Sequence, residues 1–347
     1  MVTDRCLAGT CVAQCRLVLL CGQVGVKGYG STMASATRPM QIGVFLPNGG
    51  ANMMGGKTSR WRDILALAQQ VEQAGFDFVA VLDHFDDYRE GWSTLAALAA
   101  TTSTITLLSY VTCTTYRNPA LVAKIADTVD EISDGRLILG LGAGDSPSEH
   151  HAYGYPTDRL VSRFEEALGI IRTLLREGHA DYRGEFYSVN NCELHRKGPR
   201  PAGPPILIGN LGGKRMQRLT AQHADIWACS LPLTNNTLAG VDGPLADMRA
   251  ACERHGRDFA DLGKMVELVV QYPGGRAHEW AGSESWSHGA LPLIEGAPNQ
   301  VAETLLAFHA KGFDYANIWV EPCDASGFEQ LARALEAFDR LSAAHMG

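Results

Sequence analysis

Arg136-Leu-Ile-Leu-Gly140-Leu-Gly142-Ala-Gly144-Asp145 is the stretch whose reading decides the fold. The run Arg136–Leu141 is apolar throughout and lacks the alternation of a half-exposed strand. Both faces of such a strand are buried, which is the habit of parallel sheets. Similar runs rich in β-branched residues stand at Gln41–Leu46, Phe76–Leu82, Ile105–Thr112, Pro205–Ile208, Ala224–Cys229, Met265–Val270 and Tyr315–Val320, which makes eight.

Between them the spacing predicts helices. Ile64, Leu67, Ala68 and Val71 follow the i, i+3, i+4, i+7 pattern of one buried face, and Gly75 stops that helix. Further helices are expected at Ser93–Thr102, Pro119–Ile132, Asp158–Arg176, Gly213–Gln222, Gly243–His255, Gln300–Ala310 and Gly327–Ala343. Pro119 falls in a first turn, where the missing N–H is no loss, and Gly312 follows the end of the helix near Lys311. Eight strands each followed by a helix, with no weak linker after residue 40, predict an α/β protein. The expected form is a single-domain (β/α)8 TIM barrel over residues 40–347. An open doubly wound sheet of two domains is the alternative. Insertions break the rhythm after strand four (Gly178–Gly203, with the hairpin-like Tyr182-Arg-Gly-Glu-Phe-Tyr187) and after strand seven (Tyr272–Pro298, rich in Gly, Pro and Trp). The second should lie over the C-terminal mouth of the barrel, where loops hold or cover active sites.

Residues 1–39 show no periodicity and are expected to be a disordered or artefactual extension, with Met33 and Met40 as alternative starts. Composition narrows the function classes. The 347 residues carry a net charge of -8, and no run of three cations occurs, which argues against nucleic acid. No apolar stretch is long enough to span a membrane. Leu17–Val26 has the length of a signal-peptide core but no small-residue cleavage site after it. The 9 cysteines include no CxxC, and those in the body are far apart, as in reduced proteins. A cytoplasmic location is therefore expected.

In a barrel the residues that matter stand just past the C-terminal end of each strand. Strand one ends in Pro47-Asn48-Gly49-Gly50, and strand two in Asp83-His84-Phe85, followed by Tyr88. His84 can move a proton near neutral pH and Asp83 can fix its surroundings, although a cap and an ordinary half-exposed histidine fit the same residues. Strand three ends in Ser109-Tyr110-Val111-Thr112-Cys113, whose small hydroxyls admit a ligand ring or merely fill a strand. The strand-four glycines mimic a dinucleotide fingerprint but do not open a first βαβ unit. They permit close backbone approach of a ligand and leave Asp145 at the mouth as a second acid or base. Glu149-His150-His151 is read as a solvated helix start, because adjacent histidines do not share a helix face, so no metal site is expected. Gly209-Asn210-Leu211-Gly212-Gly213-Lys214-Arg215 combines a glycine-rich loop, a helix start and two cations. It suits the phosphate of a cofactor tail and lacks the GKS/T of a nucleotide-hydrolysing loop.

Taken together these residues resemble the bacterial luciferase-like superfamily of flavin-type barrel enzymes. The resemblance runs from Met40 to about Ser230, more loosely to the end. Its carriers are Met40-Gln-Ile-Gly-Val-Phe, Ala74-Gly75-Phe76-Asp77 through Asp83-His84, Arg117-Asn118-Pro119-Ala120, Ile132-Ser-Asp-Gly135-Arg136 into Gly140–Gly144, and Ile206–Gly213. The Asp-His pair and the acid after the strand-four glycines resemble the sugar-phosphate dehydrogenase branch, which uses the deazaflavin coenzyme F420. That resemblance implies His84 as catalytic base and Asp145 as the acid toward the cofactor. It implies a cofactor cradle of Asp83, Ser109, Tyr110, Thr112, Gly144, Glu149, Gly209, Asn210, Gly212, Gly213 and Lys214. A non-prolyl cis peptide at Ser109–Tyr110 is implied too. The family acid is a glutamate and a tryptophan follows the histidine, where this chain has Asp145 and Tyr88; both departures weigh against a sugar-phosphate substrate.

The expected function is F420-dependent hydride transfer to or from a small organic substrate. The alternative is a two-component monooxygenase that uses reduced FMN and takes it from a flavin reductase partner. A second alternative is a non-catalytic flavin-binding protein. Relatives of this kind are often homodimers, which is the assembly expected here.

Overall fold

The computed structural model describes residues 38–49, 60–85, 88–277 and 291–346. The expectations for residues 1–37, including the Leu17–Val26 core, and for residues 278–290 of the strand-seven insertion fall outside them.

The strands are β1 (Gln41–Phe45), β2 (Phe78–Val81), β3 (Thr106–Ser109), β4 (Thr112–Cys113), β5 (Leu137–Gly142), β6 (His179–Arg183), β7 (Ser188–Glu193), β8 (Ile206–Asn210), β9 (Ile226–Cys229), β10 (Gly263–Gln271), β11 (Ile294–Glu295) and β12 (Tyr315–Glu321). The helices are α1 (Trp61–Gln73), α2 (Gly91–Thr101), α3 (Pro119–Ile132), α4 (Pro147–Ala152), α5 (Leu160–Glu177), α6 (Lys214–His223), α7 (Leu231–Thr234), α8 (Asp242–Arg254), α9 (Pro298–Ala310) and α10 (Ala325–Met346).

β1, β2, β3, β5, β8, β9, β10 and β12 pair in parallel in that order, and β12 returns to β1. The ring is closed, which removes the open doubly wound alternative. The two-sided burial inferred from continuous apolar runs has a direct cause in this closure. One parity of each strand points into the barrel (Phe45, Phe78, Leu108, Leu207, Met265, Trp319). The other parity (Val44, Leu107, Leu139, Ile208, Val266, Ile318) meets the helical shell.

The helices form where the spacing puts them, for identifiable reasons. Ile64, Leu67, Ala68 and Val71 are the buried face of α1, and Gly75 turns the chain at φ +81°. Pro119 opens α3, capped by the Asn118 side chain accepting from the Ala120 amide at 2.9 Å. The strand-four insertion is an antiparallel hairpin of β6 and β7. Its turn is held to α5, where Glu166 accepts from the amides of Glu185, Phe186 and Tyr187 at 2.8–3.1 Å.

Strand three departs from expectation. The run Ile105–Thr112 is not one strand: it breaks after Ser109, and β4 resumes against β5. The cis peptide is Tyr110–Val111, one bond later than the resemblance implied. Among the described residues no helix is long and apolar enough to cross a membrane.

Candidate active site

The C-terminal ends of the barrel strands enclose a cavity of about 400 Å³, within the range of about 300–1,000 Å³ usual for small-molecule sites. Its walls come from sequence-distant residues: His84 after β2, Val111 after β3, Gly144 and Asp145 after β5, Gly209 and Gly212 at the end of β8. Closure brings these together.

His84 is the best-defined titratable group. Its Nδ1 stands 3.0 and 3.1 Å from the two carboxylate oxygens of Glu149, on α4. Glu149 is buried and also accepts from the Tyr116 hydroxyl at 3.0 Å. A carboxylate against Nδ1–H leaves Nε2 of the neutral ring as the basic nitrogen. Burial of His84 opposes its protonated form. The hydrogen bond and charge of Glu149, assisted by Asp145 and Asp83, outweigh that and hold its pKa above the ordinary value. Burial alone would raise the Glu149 carboxyl, but His84 and Tyr116 bring it below the usual carboxylate range. Tyr88 stands beside His84, ring centroids 5.4 Å apart.

The helix start is not solvated as expected, since Glu149 and His150 are both buried; Glu149 lies behind the histidine and holds it, and is not among the residues that line the cavity. Asp83 lines the cavity, but its carboxylate receives Arg117 at 2.7 and 2.8 Å and the Cys113 amide at 3.2 Å. It ties the end of β2 to β4 and the segment after it. Ser109 is also off the cavity; its hydroxyl donates to the Gly140 carbonyl at 3.0 Å and accepts from the Gly140 amide at 2.9 Å. Thr112 is fully buried behind the wall, with no protein partner for its hydroxyl among the described residues. Tyr110 does line the cavity.

The glycines carry a different burden from the one expected. A Cβ on Gly140 would lie 1.9 Å from the Ser109 carbonyl oxygen, one on Gly142 2.6 Å from Val111, and one on Gly209 3.0 Å from Val111. Their absent side chains accommodate the corner after β3. Gly144, at φ +93°, would meet His150 at 2.6 Å. Gly142, Gly144, Gly209 and Gly212 nonetheless present backbone to the cavity.

At the expected anion cradle, Asn210 ends β8 and Gly212 and Gly213 have φ of +98° and +88°. Gly213 precedes Lys214, the first residue of α6, and no side chain caps that helix. Its first amides are therefore open to an external acceptor. One of the two cations is removed from the cradle: Arg215 bonds Glu165 at 2.9 Å and Ser162 at 2.8 Å on α5. Lys214 is exposed at the helix start. An uncapped glycine-rich helix start beside a cavity walled by Val111 and glycine backbone suits a flat ring with a phosphorylated tail.

Among the lining residues that carry no site expectation from the sequence are Tyr116, Trp319 and Glu267. Glu267 had a signal, a lone carboxylate inside the apolar run Met265–Val270, and a buried charge must find partners. It accepts from Trp319 Nε1 at 2.8 Å, the Leu231 amide at 3.0 Å and the Tyr110 hydroxyl at 3.4 Å.

A barrel whose rim gathers a carboxylate-held histidine, a second acid and an anion-ready helix start is the scaffold of a flavin-type oxidoreductase. The model of the luciferase-like monooxygenase family matches residues 40–283, and the chain belongs to that family. Among curated relatives, the F420-dependent hydroxymycolic acid dehydrogenase of Mycobacterium tuberculosis is 28% identical over 263 residues, 72% of this chain and 70% of the relative. Pyrimidine monooxygenase RutA of Cronobacter sakazakii is 33% identical over 221 residues, 59% of this chain and 62% of that protein. Among solved structures, an F420-dependent secondary alcohol dehydrogenase bound to an F420-acetone adduct superimposes with a TM-score of 0.70 at 18% identity. It covers 86% of this chain and 99% of its own. Monooxygenase RslO1 of Streptomyces bottropensis does so at 0.70 and 20% identity, covering 89% and 100%. The structural likenesses establish the barrel. The family and its relatives make this chain an oxidoreductase of the flavin or deazaflavin type.

Proposed function

We propose that the chain is an F420-dependent oxidoreductase that exchanges a hydride with a small organic substrate in this cavity. The observation that carries the proposal is the Tyr116–Glu149–His84 chain of hydrogen bonds, which ends at the same mouth as Asp145. When bound, the deazaflavin supplies a ring carbon that takes up or returns a hydride. The residues of this chain do the proton work and the holding. Nε2 of His84 accepts the hydroxyl proton of a substrate being oxidised and returns it in the reverse direction. Glu149 keeps the proton on Nδ1 and stabilises the imidazolium that forms, as an orienting carboxylate does in other histidine bases. Asp145 is the acid toward the cofactor ring, and Val111 and Tyr110 back it. Gly209, Asn210, Gly212, Gly213 and Lys214 hold the phosphate with backbone amides, the start of α6 and one cation. Asp83 and Ser109 act through the wall they brace.

Relatives named for F420, in Mycobacterium tuberculosis and Intrasporangium calvum, support this reading. The RutA relatives support a second, a reduced-FMN monooxygenase served by a flavin reductase. Spectral titration with F420 and with FMN, oxidised and reduced, distinguishes them. F420 is expected to bind; tight reduced FMN without F420, together with oxygen uptake when a flavin reductase is supplied, would overturn the proposal. His84→Ala is expected to lose at least about 100-fold in turnover while keeping the cofactor, the usual contribution of a positioned acid or base.

A further inference from the structure

The cavity has a second polar end that the proton-transfer chemistry does not use. Among the described residues that line it there is no lysine or arginine, while Asp83, Asp145 and Glu267 are all carboxylates. Arg117 neutralises Asp83. Among the described residues neither Asp145 nor Glu267 pairs with a lysine or arginine, so carboxyl groups stand at the rim and at the floor, and His84, on which Asp145 acts, is the one described lining side chain able to carry positive charge. A phosphate or carboxylate brought among them would meet carboxyl oxygens with no lysine or arginine on the described wall to pair with it, an arrangement that disfavours anions. This applies to the substrate end alone; the start of α6, where the cofactor tail is proposed to sit, is a separate part of the rim.

Glu267 is held by three donors from three other segments: Trp319 on β12, Leu231 at the start of α7, and Tyr110 after β3. A carboxylate has about four acceptor positions. Oε2 takes two of these donors and Oε1 takes the Trp319 indole alone among the described residues, so Oε1 has acceptor capacity for a further donor. Trp319 itself is fixed by stacking on Phe45, centroids 3.8 Å apart, and Phe45 meets Tyr110 edge-on at 5.2 Å. The carboxylate therefore sits at a defined place beside a flat aromatic floor. Burial, with the charge of Asp145, holds its pKa above the usual carboxylate range, and the three donors offset only part of that.

We propose that Glu267 is a specificity-determining residue. It receives a hydroxyl or amine hydrogen of the substrate over the Phe45–Trp319 floor and, with Asp145, excludes substrates that carry a carboxylate or phosphate. The substrate class is thus a compact alcohol or amine without an anionic group. The inference rests on this cavity being the active site and not on which cofactor fills it.

The test uses the full chain saturated with whichever of F420 or FMN it binds, so a wrong cofactor assignment and a wrong substrate class fail separately. Calorimetric titration compares cyclohexanol, cyclohexylamine and cyclohexanecarboxylate, three probes of one ring size. The alcohol and the amine are expected to bind at least about tenfold more tightly than the carboxylate. Glu267→Gln is expected to reduce the amine-to-carboxylate preference at least about tenfold, and Glu267→Asp, which keeps the charge, to retain it. Circular dichroism separates this from misfolding. If wild-type protein binds the carboxylate as tightly as the amine, the proposal is wrong whatever the variants do. A folded Glu267→Gln with unchanged ranking would also overturn it, leaving Glu267 a brace for Tyr110 and Trp319.

Discussion

Replacing Glu149 by glutamine tests the proton relay most directly, because it preserves shape and removes one charge. The glutamine amide oxygen can still accept from Nδ1–H of His84, so the ring keeps its place while its ionic partner is lost. In the wild-type protein the contact is 3.0–3.1 Å and the carboxylate side chain is only 4% exposed, so solvent screens it weakly. A hydrogen bond to a charged group contributes about 1.5–3 kcal/mol, and each 1.36 kcal/mol of transition-state stabilisation is about tenfold in rate. The expected loss is therefore about 10- to 100-fold in kcat, the range also found when the carboxylate behind a functional histidine is removed. KM should change little, since Glu149 does not line the cavity.

The pH profile carries the sign of the argument. Only neutral His84 can accept a proton, so oxidation should accelerate as pH rises through its pKa, which lies above 6.5. Burial acts on His84 in the opposite sense to Glu149. Once the charge is gone burial prevails, and the acid limb of Glu149→Gln should move to lower pH. Measurement of kcat and kcat/KM across the neutral range for both proteins reads this shift. An unchanged limb together with a wild-type rate would refute the relay.

Two further substitutions probe the walls. Gly142→Ala places a methyl 2.6 Å from Val111 and should cost about 1–3 kcal/mol as overpacking. It should lower the melting temperature and weaken cofactor binding together; Gly140→Ala, against a backbone oxygen instead, should be worse on the same thermal melt. Arg117→Ala leaves the buried Asp83 carboxylate without its partner and is expected to destabilise by about 3–5 kcal/mol in a denaturant titration. A loss below about 1 kcal/mol, the value of a surface pair, would show that this pair does not brace the wall.

The sequence by itself determined the barrel. Two-sided burial requires continuous apolar runs, and eight of these alternating with amphipathic helices leave few ways to cover both faces of every strand. It also marked the residues that follow strand ends, His84, Asp145, Gly144, Gly209 and Gly212, because position along a strand is a local property. What tertiary structure decided is everything that depends on which strand faces which. Glu149, read from sequence as part of a solvated helix start, is buried as the holder of His84 because α4 folds back across 65 positions of sequence. Arg215 left the anion cradle because α5 offers Glu165 beside it. The glycines of β5 serve the corner at Val111, a neighbour that only the pairing of β3, β4 and β5 brings near. Glu267, inside a run that reads as apolar, meets its tyrosine across 157 positions and its tryptophan across 52. A sequence pattern records the periodicity of burial along one strand, whereas a hydrogen bond between strands depends on register and closure, which are properties of the assembled ring.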